Sequence, residues 1–287
     1  MAAPTITYNS SAPFDRDDIE LVKMFLAGFK DENGRIYKLK ERPDITERKK
    51  KAIEAIAVSE DGRTLAIEHT YIQPFEGQMK DNVPFLTVFE QFRTDSSLRM
   101  PNRFVDVLVP AFAVPTGVDW KDVAKKVREW FIKAKDSFPA DGEKEFAIPG
   151  LGFELKVIIH AFDLPETDCV LVTGRILPKG RPFEEVLKKA LHQKAPKLVA
   201  APADRRILLL EDGGTAIGFA QIGKGLDENV ENLPELKKVD AVWSIHTMEW
   251  KSNGDALFFR VWPGWTGDRF WIKDQRFVKP DASPANQ

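Results

Sequence analysis

The chain has 287 residues, of which 43% are hydrophobic and 30% charged, and a formal net charge of -2. It is long enough to bury a substantial core, and it has no overall basic field, so any contact with nucleic acid must come from a local patch. Its one cysteine, Cys169, excludes an internal disulfide and a cysteine-built metal cluster. No window approaches the roughly 18 uninterrupted apolar residues of a membrane span. Met1-Ala-Ala-Pro-Thr5 lacks the basic start and apolar core of a signal peptide, so a cytoplasmic protein without a membrane partner is expected.

Residues 1–14 are small and polar and predict an arm of little structure. A helix follows, with Asp15 or Asp17 as N-cap and Ile19, Val22, Met24, Phe25, Leu26 and Phe29 on its apolar side. Asp18 and Glu20 fall in its first turn, where the helix dipole already favours negative charge. Asp31–Gly34 ends the helix, 35–39 reads as a short extended piece, and Arg42-Pro43-Asp44 reads as a turn. The basic run with Lys49, Lys50 and Lys51 is a solvated helix end or a phosphate-facing patch.

The stretch 52–70 reads as two apolar strands around Glu60-Asp61-Gly62, each strand carrying one glutamate that packing alone does not require. A two-residue Asp61-Gly62 loop would send Glu54 and Glu68 to opposite faces. A three-residue loop with Gly62 in the left-handed conformation pairs Ser59 with Arg63 and sets Glu54 directly across from Glu68. The second register is preferred because glycine then stands where a positive φ is required. It places Ile56, Val58, Ala66 and Thr70 on the carboxylate face, and Ile53, Ala55, Ala57, Leu65 and Ile67 on the other. Two carboxylates this close in a dry setting repel each other unless a cation lies between them. Mg²⁺, which takes one or two protein carboxylates and keeps several waters, suits the pair. The alternative is ordinary charge pairing, of Glu54 with Arg48 or Lys50 and of Glu68 with His69 or an arginine.

Beyond the hairpin, Pro74 stops the strand, and a helix is predicted over 83–92 with Phe85, Val88, Phe89 and Phe92 on one side. Gln78 and Lys80 lie just before it. A strand over 104–112, an amphipathic helix from Asp119 to about Lys135, and strands over 150–162 and 168–176 follow. The helix predicted over 182–198 has a basic side formed by Lys188, Lys189, His192, Lys194 and Lys197. Ile207–Glu211 reads as a buried parallel strand, 222–236 as a helical or irregular segment, 239–246 as another buried strand, and 256–262 as a strand pairing near the edge. Trp262, Trp265, Phe270 and Trp271 either pack as a C-terminal hairpin or offer stacking surfaces for bases or a partner. An antiparallel meander followed by strand, helix and strand indicates an α/β (α+β) protein, a mixed sheet with helices on both faces.

These features together resemble the restriction-endonuclease-like, PD-(D/E)XK nuclease superfamily: an acidic first helix, an antiparallel pair with an acid at each end, and a helix crossing over to a buried parallel strand. The resemblance implies one such domain over 15–280, an insertion at about 114–180 and a polar tail at 281–287. It also implies a nuclease hydrolysing DNA or RNA with Mg²⁺ or Mn²⁺. Glu54 and Glu68 would be the metal ligands and Glu20 the helix acid. Glu68-His69-Thr70 places Thr70 where the family has lysine, and Lys80, Gln78 or Lys51 are candidate replacements. Gln78, Lys49, Lys50, Lys51, Lys188, Lys189 and Lys194 would line the nucleic acid. The alternative the missing lysine leaves open is a catalytically silent module that binds nucleic acid, a protein partner or a second copy of itself.

Overall fold

A computed structural model of the chain describes residues 6–8, 19–46, 52–160, 169–212, 217–247, 256–264, 267–273 and 276–278. Asp15, Asp17, Arg48, Lys49, Lys50, Lys51 and Trp265 lie outside the described residues. The chain divides into two compact units: Met1–Ala12 with Pro74–Pro182, and Pro13–Gln73 with Phe183–Gln287. The stretch expected as an insertion, about 114–180, falls wholly within the first of these, which already begins at Pro74.

The first unit contains β1 (Ile6–Tyr8), α3 (Gln78–Phe89), α4 (Gln91–Thr94), β5 (Arg103–Pro110), α5 (Trp120–Ala134), β6 (Gly142–Ala147), β7 (Glu154–His160) and β8 (Cys169–Ile176). Its sheet has the order β1-β8-β5-β7-β6, with β5 and β8 parallel and the other pairs antiparallel. Val105, Val107 and Val109 of β5 and Leu155, Val157 and Ile159 of β7 turn one face toward Phe85, Val88 and Phe89 of α3 and Val123, Val127 and Phe131 of α5. The alternation of these strands thus supplies one apolar face, and the helix stripes supply its cover. Strand β6 was not foreseen, because its residues are mostly exposed and show no apolar alternation.

The second unit contains α1 (Ile19–Gly28), β2 (Tyr37–Glu41), the single turn α2 (Pro43–Thr46), β3 (Ala55–Ser59) and β4 (Thr64–Ile72). The chain returns to it with α6 (Pro182–Ala200), β9 (Arg205–Asp212), α7 (Phe219–Val230), β10 (Ala241–His246), β11 (Ala256–Trp262), β12 (Arg269–Lys273) and β13 (Arg276–Val278). The sheet runs β13-β12-β11-β10-β9-β4-β3-β2. Strands β4, β9 and β10 are parallel to one another, and the flanking pairs are antiparallel. This is a mixed sheet with helices on both faces, as the sequence predicts. Ala55, Ala57, Leu65, Ile67, Leu209 and Trp243 pack with Leu21, Phe25 and Leu26 of α1. Ala66, Leu208, Leu210 and Val242 face the other way, against Leu187, Leu191 and Leu198 of α6 and Ile222 and Leu226 of α7. Ile53 joins this second cluster rather than the first, because β3 begins only at Ala55 and strand alternation does not extend back to it.

Phe270 is buried, stacks on Phe258 and meets Phe25 and Trp243. Gly28 permits this approach of α1, since a Cβ there would strike the Phe270 ring. Trp262 is also buried. Of the aromatic residues considered for stacking, these two belong to the core. No helix among the described residues is long and apolar enough to cross a membrane.

Candidate functional site

The β3–β4 hairpin has the three-residue loop. Ser59 N–H donates to Arg63 O at 2.9 Å, Gly62 N–H donates to Ser59 O at 3.0 Å, and Gly62 has φ +84°. The Asp61 carboxylate accepts from Ser59 Oγ and from Arg35 Nε, which hold it down at about 2. Ala55 pairs with Ile67, so the register carries Glu54 to the position across from Glu68. Glu54 N–H donates to Glu68 Oε2 at 3.2 Å.

The cations facing this pair come from α6. Its apolar stripe of Phe183, Leu187, Leu191, Ala195 and Leu198 lies on the sheet, and Lys194 and Lys197 flank the stripe. Their alkyl stems run along the apolar surface and carry the ammonium groups to the strand. Lys194 Nζ lies 2.6 Å from Glu68 Oε1 and 3.7 Å from Glu54 Oε1. Lys197 Nζ lies 3.2 Å from Glu68 Oε1. The Glu68 side chain is 0% exposed, whereas Glu54 and Lys194 keep 18% and 19% of their side-chain surface, so the site opens on their side. Lys194 was expected to face phosphate, but it is bonded to Glu68. Among the described residues the cations on that carboxylate are lysines, not His69 or an arginine.

On the other face of the sheet His69, 2% exposed, brings Nε2 to 3.0 Å from Glu211 Oε2. Glu211 Oε1 accepts from Thr247 Oγ1 at 2.8 Å. Glu54 joins the two faces: its Oε2 accepts the main-chain N–H of His69 at 3.0 Å and lies 3.8 Å from His69 Nδ1. Glu211, Thr247 and Lys197 were not among the residues singled out for the site. The apolar run 207–210 ending in two acids, Glu211 and Asp212, was the available signal for the first of them.

Next to Glu211, Asp212 is fully buried, and its Oδ1 lies 2.7 Å from His246 Nδ1. Bonding to Asp212, opposed by burial, raises the His246 imidazole above its ordinary 6.5. Because the folded value is raised, the stability from this pair is present in full below the unfolded value and is lost as pH rises through the folded one. His246→Phe is therefore expected to flatten the stability profile above about pH 6.5, as read by urea unfolding at a series of pH values.

The remaining candidates lie elsewhere. Glu20 is exposed in the first turn of α1, which covers the face opposite the Glu68 carboxylate. Thr70 is half-buried on β4, two residues along from Glu68 on the same face. Gln78 and Lys80 belong to α3 of the other unit, Gln78 buried and Lys80 exposed. Lys188 and Lys189 are exposed on α6. The structure thus brings together Glu54, Glu68 and Lys194.

No protein-family model, characterised protein or solved structure matches this chain.

Among the described residues no three His, Cys, Asp or Glu side chains are grouped to hold a metal ion. The donor set at the hairpin is two carboxylates on a rigid strand pair. That fits Mg²⁺ or Mn²⁺, which complete their coordination with water and phosphate oxygens, and not a three-ligand zinc site. For such an ion to reach Glu68 Oε1, the Lys194 and Lys197 ammonium groups must swing away.

Proposed function

We propose that the chain is a divergent PD-(D/E)XK nuclease that hydrolyses phosphodiester bonds in DNA or RNA with Mg²⁺ or Mn²⁺. The observation that carries this reading is the Lys194 ammonium placed against both opposed carboxylates. Thr70 has no charge to offer, and α6 provides a lysine from a different element at the same pair. The order α1, antiparallel β2–β3–β4, α6 and parallel β9 supports the same reading.

Glu54 and Glu68 would hold the metal, which when bound supplies a water acidic enough to give hydroxide near neutral pH and offsets charge on the phosphate. Lys194 would orient the attacking water and stabilise the developing phosphorane charge from the open side of the site. Lys188 and Lys189 would follow the phosphate backbone without reading sequence.

A second reading has its own observation: Lys194 and Lys197 together neutralise Glu68, as they would in a silent nuclease-like module that binds nucleic acid or a protein partner. Labelled single- and double-stranded DNA and RNA, incubated with Mg²⁺ or Mn²⁺, separate the two. The nuclease reading expects cleavage by the wild type that is lost at least a hundredfold in Glu68→Ala and in Lys194→Met, both still folded. Binding of the polymers without turnover in either metal would give the silent module.

A further inference from the structure

We propose that His69, Glu211 and Thr247 form a positioning arm for the Glu54 carboxylate, an inference that rests on the Glu54–Glu68 pair being the reactive centre. The arm begins at the ends of the parallel strands. Glu211 is 2% exposed, and both its oxygens are engaged, Oε1 by the Thr247 hydroxyl and Oε2 by His69 Nε2. An ionised carboxylate only accepts, so both partners donate to it, and the imidazole plane is set by a group that cannot rotate away. Thr247 is itself seated by its main-chain N–H, which donates to Asp212 O at 3.4 Å. The ring held in this way points Nδ1 at Glu54 Oε2, the oxygen that already takes the His69 main-chain N–H. One oxygen of Glu54 is therefore held by the His69 main-chain N–H, with ring Nδ1 facing it at 3.8 Å, beyond hydrogen-bond length, and the other remains turned toward Lys194.

Strand alternation makes this a device with two sides. Glu68 and the α6 lysines hold the centre from one face, and His69 with Glu211 reaches Glu54 from the α1 face. Packing alone does not call for such a chain, because an apolar pair beside Ile67 and Leu209 would fill the same space at no greater cost. A carboxylate, an imidazole and a hydroxyl bonded in series at the carboxyl ends of parallel strands stand where open α/β sheets hold their ligands.

The test uses Mn²⁺ alone as probe, titrated calorimetrically into the full chain. Glu211→Gln and Thr247→Val are expected to bind Mn²⁺ about 10-fold more weakly than wild type, the low end of the effect of losing a direct outer partner of a ligand, because both reach Glu54 only through His69. Thr247→Ser, which keeps the hydroxyl, should recover the affinity that Thr247→Val loses, and a merely structural defect would not follow that pattern. Folded Glu211→Gln and Thr247→Val proteins that bind Mn²⁺ as the wild type does would overturn the arm and leave the centre intact. A wild type that neither binds Mn²⁺ nor cleaves any polymer would remove the centre and the arm together. Should the buried variants fail to fold, the ring nitrogens of His69 can be followed by ¹⁵N NMR in otherwise native protein, assigned by eliminating the other three histidines one at a time. Mg²⁺ is expected to shift those signals, and signals unmoved at saturating Mg²⁺ would overturn the arm.

Discussion

The double variant Lys194→Met, Lys197→Met is expected to lose about 3–5 kcal/mol of stability at neutral pH, the cost of leaving a buried carboxylate without its counter-charges. Glu68 is fully buried, and both lysines bond the same oxygen, Oε1. Methionine keeps much of the stem volume, so the effect isolates the charge and not the packing. Lys197→Met alone should cost less, because Lys194 is the nearer cation, at 2.6 Å against 3.2 Å, and stays in place. Adding Glu68→Leu to the double variant should restore most of the loss, since a well-packed apolar group in place of a buried ion pair is often neutral or better. The chain has two compact units, so the measurement should be local. Hydrogen exchange of β4 and β9 peptides reports the second unit by itself. A loss below about 1 kcal/mol in the double variant would mean that Glu68 does not depend on α6, within the range of an exposed ion pair.

Arg175→Met is expected to cost the first unit a similar amount, about 3–5 kcal/mol, for the same physical reason in a drier place. Arg175 on β8 is 1% exposed, its Nε donates to Asp81 Oδ2 at 2.8 Å, and its guanidinium lies 3.7 Å from the centroid of the Phe85 ring. Methionine abandons Asp81, itself buried, and gives up the cation–π contact. Arg175→Lys should not rescue it, because an ammonium lacks the flat face and fork that satisfy the ring and the carboxylate together. Arg175→Met combined with Asp81→Leu should recover most of the loss, and that recovery distinguishes a stranded charge from lost packing. Exchange of α3 and β8 amides reads the result. The same protection in Arg175→Met as in wild type would show that the pair carries no stability.

Histidines 69 and 246 and the threonines that follow each of them showed no connection along the chain. The fold joins His69 and Thr247 through Glu211, and His246 to the adjoining Asp212, while Thr70 lies on the Glu68 face. No local pattern announces such a link, because the partners are up to 142 residues apart and meet only when β9 lies between β4 and β10. The helix around Phe85 shows a related failure. Pro84 invites a start at Val83, since proline suits the first helical turn. The helix instead begins at Gln78 after Gly77, with φ +84°, and Pro84 is buried inside it. Packing of Phe85, Val88 and Phe89 outweighs the lost hydrogen bond.

The amino-acid sequence by itself determined the hairpin and its register. A glycine at the loop position that needs a positive φ favours the three-residue loop over the two-residue one, and that pairing sets Glu54 against Glu68. It also determined the stripes of α1, α5 and α6 and the mixed sheet between helices, because these depend on periodicity within one element. Only the tertiary structure decided what neutralises the carboxylates. Lys194 looks like any other lysine of a basic helix until α6 is laid on the sheet, where its apolar stripe against Leu208 and Leu210 turns residues 194 and 197 toward β4 and leaves 188 and 189 outside. Which lysine meets which acid is a property of that docking, and docking depends on contacts between residues too far apart in the chain for any local spacing to encode.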